Sequence, residues 1–128
     1  MVESLLQAAE LRVMDILIDL SGLTDSTAVM KRFNETLEFG THPGGAPVGV
    51  GNWNAFEDCL RCLDGGGIYG TGKPVVFPCA LTIQGYEDFK NNDPEGFRVL
   101  KEILESKPDE YKDDDQELRV SFAPYENP

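Results

Sequence analysis

The chain is short of positive charge, of cysteine and of long apolar runs. Its 128 residues carry 11 Lys and Arg against 23 Asp and Glu, a formal net charge of −12. Nucleic-acid binders hold phosphate largely through Lys and Arg, and anionic membranes select basic segments in the same way, so neither partner is expected. Such a surplus attracts cationic partners and accelerates their encounter. The three cysteines are an odd, thin set. A small secreted scaffold would show an even and denser framework, so reduced thiols in a cytoplasm are the expectation. No apolar run approaches the roughly 18 residues of a bilayer span. MVESLLQAAELRV lacks the basic n-region and unbroken apolar stretch of a secretory signal. Thirteen Gly and eight Pro are too few for a collagen-like or low-complexity chain. What is present, 41% apolar residues, suits one soluble domain with a single core.

Hydrophobic patterning orders the elements. In 13–20, VMDILIDL, Met14, Ile16, Ile18 and Leu20 alternate with Leu17 on the other face, a short strand expected to be partly buried on both sides. Thr24, Asp25 or Ser26 then caps a helix whose face is Val29, Met30, Phe33 and Leu37, with Gly40 as its stop. Residues 40–51, rich in Gly and Pro, read as a loop. Asn52 caps a second helix over 53–63, with Trp53, Phe56, Leu60 and Leu63 as its stripe. The run 74–83 reads as a strand with Pro78 at an end, an edge or a bulge. A short helix follows over 86–92, and Asp93-Pro94-Glu95 opens a longer one carrying Phe97, Leu100 and Leu104. Residues 108–116 read as a polar, acidic connection before a last strand with Leu118, Val120 and Phe122. Gaps of about fifty and about thirty residues between strands require helical crossovers, which make the strands parallel. The reading is an α/β domain: a three-stranded parallel β-sheet with about four helices.

Few residues carry enzyme chemistry. His42 is the single histidine, in a Gly/Pro-rich loop with no Ser or Asp at a triad spacing. Neither GGAPVGVG nor GGGIYGTGK has phosphate-loop spacing; Lys73 is followed by Pro74. Cys59-Leu60-Arg61-Cys62 is a C-x-x-C, but a tetrahedral zinc needs about four ligands and only Cys79 and His42 could add to it. The pair falls inside the predicted helix, not at the N-terminus where the dipole would activate a thiol, so packing cysteines are expected. The wet face of that helix remains. Asn54, Asp58 and Arg61 at i, i+4 and i+7 project together with Glu57 beside them, directly after a glycine loop. That face is either solvated surface or a binding edge for a basic cleft.

Here the sequence resembles the barstar family, intracellular inhibitors of the secreted ribonuclease barnase and its relatives. Gly51-Asn52-Trp53-Asn54-Ala55-Phe56-Glu57-Asp58-Cys59-Leu60 is similar to the family's second helix, and the order of elements agrees. The resemblance covers about 14–122. It implies one barstar-like domain over 1–128, with 1–12 an extra N-terminal segment and 123–128 a tail.

The resemblance also implies roles. Asp58 matches the acid that family inhibitors insert among the cationic groups of the ribonuclease site. Asn54 stands where family inhibitors have a second aspartate, and Val48, Gly49 and Val50 replace a tyrosine pair. Glu105 corresponds to a late-helix glutamate. The implied contact set is therefore Val48, Gly49, Val50, Gly51, Asn52, Trp53, Asn54, Glu57, Asp58, Arg61 and Glu105. The implied function is a cytoplasmic, bacterial immunity protein that binds a basic ribonuclease and occludes its cleft, without catalysis, cofactor, metal or small-molecule ligand. The alternatives are a barstar-fold interaction module with a non-ribonuclease partner, and an enzyme or C-x-x-C metal or redox protein.

Overall fold

The computed structural model describes residues 13–124. The segment 1–12, with the reading of its leader character, and the end of the tail at 125–128 lie outside the described residues. Three parallel strands, β1 (Met14–Asp19), β2 (Cys79–Gln84) and β3 (Leu118–Ala123), form one sheet in that order. Ile16 pairs with Leu81 and Leu81 with Val120, which puts alternate apolar residues of all three strands on one face. The other face stays open to water. Asp15, Leu17 and Asp19 of β1 and Arg119 and Ser121 of β3 are exposed there. Leu17 is 55% exposed, which corrects the expectation of a strand partly buried on both sides. The tail starts later than expected, since Ala123 still belongs to β3.

Helix α1 (Ser26–Leu37) starts where Asp25 accepts the Ala28 N–H at 2.8 Å, and it buries Val29, Met30, Phe33 and Leu37 against the sheet. Its left-handed end residue is Glu38, φ 52°, not Gly40. Gly40 serves close approach instead: a Cβ there would lie 2.2 Å from Thr71 Oγ1. Helix α2 (Trp53–Leu60) is capped by Asn52, whose side chain accepts from Asn54 N–H at 2.7 Å and Ala55 N–H at 3.3 Å. It stops sooner than its apolar stripe, and Leu63 is buried from a 3-10 turn, Leu63–Gly65. Phe56 is the hub beneath α2, meeting Phe33, Phe39 and Trp53 edge-on at centroid distances of 5.1, 6.3 and 5.3 Å.

Two expected boundaries move. Residues 74–78 are not strand. Val75 N–H donates to Leu63 O at 2.7 Å, so this backbone pairs with the 3-10 turn, and Pro74 and Pro78 have no N–H for a ladder. After the short α3 (Glu87–Asn92), α4 (Pro94–Lys112) runs straight through Pro108 into the segment read as a connection. Proline inside a helix costs about 3 kcal/mol, so something beyond it must hold the last turn. Tyr111 does so. Its ring is buried beside Phe77, 5.0 Å between centroids. Its hydroxyl donates to Leu60 O and accepts the Leu63 N–H at 3.1 Å.

Tyr111→Phe keeps the ring and removes both bonds, orphaning a buried carbonyl and a buried N–H. Urea unfolding should show a loss of about 1–3 kcal/mol. A change of only a few tenths would mean that the hydroxyl does not hold the end of α4.

Candidate functional site

The edge of α2 is built on a buried charge. Lys107 of α4 has a side chain only 1% exposed, and its Nζ donates to Glu57 Oε2 at 2.7 Å and Glu110 Oε2 at 2.5 Å. Ser106 Oγ, at 3.2 Å, completes three acceptors for the three ammonium protons. Both glutamates also hold Arg61, Glu57 at 3.3 Å and Glu110 at 3.0 Å. Arg61 in turn meets Asp58 at 3.2 Å. Hydrogen bonds from Lys107 first, then from Arg61, hold the Glu110 carboxyl below its ordinary pKa against the opposing effect of burial.

The result is a chain of alternating charge from core to solvent, two cations against three carboxylates. Asp58 ends it, 58% exposed with one cationic partner of its own. The surplus negative charge of the edge therefore sits outermost, on a helix that the inner members fix in place. Individually the exposed pairs contribute about 0–1 kcal/mol each; the buried ammonium is the term with weight.

The expected contact residues do not all share one surface. Asn54, Glu57, Asp58 and Arg61 share the α2 edge, with Glu57 the least exposed because it reaches inward to Lys107. Gly51 and Asn52 are exposed at the start of the helix, and Trp53 is half-buried against Phe56. Val48 and Gly49 are a correction. Val48 is 1% exposed, and a Cβ on Gly49 would come within 2.9 Å of the Cys59 sulfur, so both face the core and offer no contact surface. Val50 is half-buried. Asn34 of α1 fixes this inward course by donating from Nδ2 to Gly40 O at 3.1 Å and to Val48 O at 2.7 Å. Glu105 is exposed on α4 but lies roughly 200° round the helix from Lys107. The α4 carboxylate that joins the edge is Glu110.

Sequence reasoning missed Lys107, Glu110 and Asn34. The i, i+3 spacing of Lys107 and Glu110 was a usable signal, hidden by reading Pro108 as the end of the helix. Asn34 gave none, because a polar residue on a helix carries no mark of the loop it will hold.

The remaining candidates are elsewhere engaged. His42 is exposed with its ring 5.1 Å from that of Tyr69. Cys59 and Cys79 are buried, and Cys62 is half-buried. Among the described residues no group of three or more His, Cys, Asp or Glu is placed to hold a metal ion. Burial pushes the Cys59 and Cys79 thiols up to about 11 and raises Cys62 as well. Raised values keep all three protonated at pH 8, where only the thiolate attacks. Native protein at pH 8 should therefore alkylate slowly, Cys62 first, and denaturant should release all three thiols. Rapid modification of Cys59 in the native state would contradict this packing.

Among the described residues no helix is long and apolar enough to cross a membrane. Comparison with curated proteins finds no match. The family model for barstar, the barnase inhibitor, matches residues 13–123, and that family is one of inhibitors, not of enzymes. With the parallel sheet, the capped α2 and this match over most of its length, the chain belongs to the barstar family.

Proposed function

We propose that this chain is an immunity protein that inhibits a basic ribonuclease by seating the α2 edge in its active-site cleft. The observation that carries the reading is the position of Asp58, the exposed outer end of a charge chain anchored at a buried lysine. A cleft that holds RNA phosphate presents several cationic donors and no acceptor among them. Asp58 supplies carboxylate oxygens to those donors, Asn54 one turn earlier adds an amide, and Gly51 and Asn52 allow close approach. Trp53 and Val50 border the contact, and Glu105 lies outside it. Inhibition is occlusion; no bond is made or broken. Net charge −12 against a basic partner accelerates capture, which a cytoplasm threatened by a ribonuclease requires.

Isothermal titration and inhibition assays against barnase and a panel of other basic ribonucleases test this. Asp58→Ala should weaken binding by about 2–5 kcal/mol, because the partner's cations are left desolvated and unpaired. Its unfolding curve should shift by no more than about 0.5 kcal/mol, as expected for an exposed helix position. Parent-like affinity in Asp58→Ala would sink the mechanism. A chain that leaves the whole panel active would favour a basic partner of another kind.

A further inference from the structure

Two large apolar side chains stand in solvent beside α2. Ile68 is 43% and Tyr69 50% exposed, at the tip of the glycine-rich segment 65–73. Backbone hydrogen bonds fold the tip on itself and tie it to the end of α2. Gly67 N–H donates to Cys62 O at 3.0 Å, Gly70 N–H to Gly67 O at 3.2 Å and Gly72 N–H to Gly66 O at 2.9 Å. A Cβ on Gly67 would lie 2.1 Å from Phe39 O and one on Gly72 1.8 Å from Glu38 O, so the segment lies flat on the chain leaving α1. Thr71 Oγ1 closes the seam with the 40–51 loop, donating to Thr41 O and accepting the Thr41 N–H, both at 2.9 Å. The Gly67 bond to Cys62 O ties the segment to the turn that ends α2, and the His42 ring lies 5.1 Å from that of Tyr69.

We propose that Ile68 and Tyr69, backed by His42, form a second contact element that seats on the rim of the ribonuclease cleft. The proposal rests on the inhibitor reading above and adds the rim to the cleft. Apolar side chains on a backbone pinned by hydrogen bonds, in the segment that follows the acidic helix, offer contact area at a reduced ordering cost, the property that makes tyrosine effective in interfaces. The Tyr69 ring face attracts a cation, and the rim of a phosphate-binding cleft carries Arg and Lys, so acid and aromatic elements address the same basic surface.

Surface plasmon resonance against the same ribonuclease panel tests it, with Tyr69→Ala, Ile68→Ser, Asp58→Ala and Leu17→Ser compared with the parent. Leu17 is an apolar residue at least as exposed, on the open face of the sheet. Tyr69→Ala should dissociate about tenfold faster or more, with association nearly unchanged and an unchanged melting temperature. Ile68→Ser should follow in the same direction, and Leu17→Ser should match the parent. If Asp58→Ala loses binding while Tyr69→Ala and Ile68→Ser dissociate like the parent, the rim contact is wrong and the α2 edge stands. If Asp58→Ala binds like the parent, or the parent binds no ribonuclease in the panel, the reading beneath it falls and the rim contact falls with it.

Discussion

Lys107 carries its ammonium into the seam between α2 and α4, and the seam closes only because carboxylates enter with it. Removing such a group from water costs several kcal/mol unless each of its protons finds an acceptor. Glu57, Glu110 and Ser106 provide those acceptors from both sides of the seam. An apolar residue would fill the same space at less cost, but it would not dictate where Glu57 and Glu110 point. Through them the buried charge orients Arg61, and Arg61 orients Asp58. The edge proposed to meet a partner is thus set from inside the molecule, and the long helix α4 extends past Pro108 to set it.

How much of this was legible depends on how local the cause was. The starts of α1, α2 and α4 follow from Asp25, Asn52 and Asp93, each of which caps as its sequence context indicates. The parallel sheet follows from long crossovers between alternating runs. The ends of elements were less legible. Pro108 reads as a helix stop, yet Tyr111 bonded to Leu60 and Leu63 holds the helix beyond it. Pro74 to Pro78 read as strand, yet Val75 pairs with the 3-10 turn. In both places a contact far away in sequence outweighs a local preference.

The site divides in the same way. Helical spacing alone brings Asn54, Asp58 and Arg61 together. The inward turn of Val48 and Gly49 depends on Asn34 and on the Cys59 sulfur, neither of which the loop's own composition announces. The family resemblance placed contact residues in that loop by position. In the structure Val48 and Gly49 of that loop face inward, and Ile68 and Tyr69 are exposed.

On the inhibitor reading, geometry fixed by Lys107, and not bulk negative charge, makes the α2 edge a ligand for a basic cleft. Lys107→Met separates the two, since it makes the chain one charge more negative than −12 while removing the anchor. The measurement is the dissociation rate of this variant from a ribonuclease that the parent inhibits, at a temperature where circular dichroism shows both proteins folded. The account predicts dissociation about tenfold faster or more, despite the added negative charge. Equal or tighter binding by Lys107→Met would contradict it and leave net charge as the whole of the attraction.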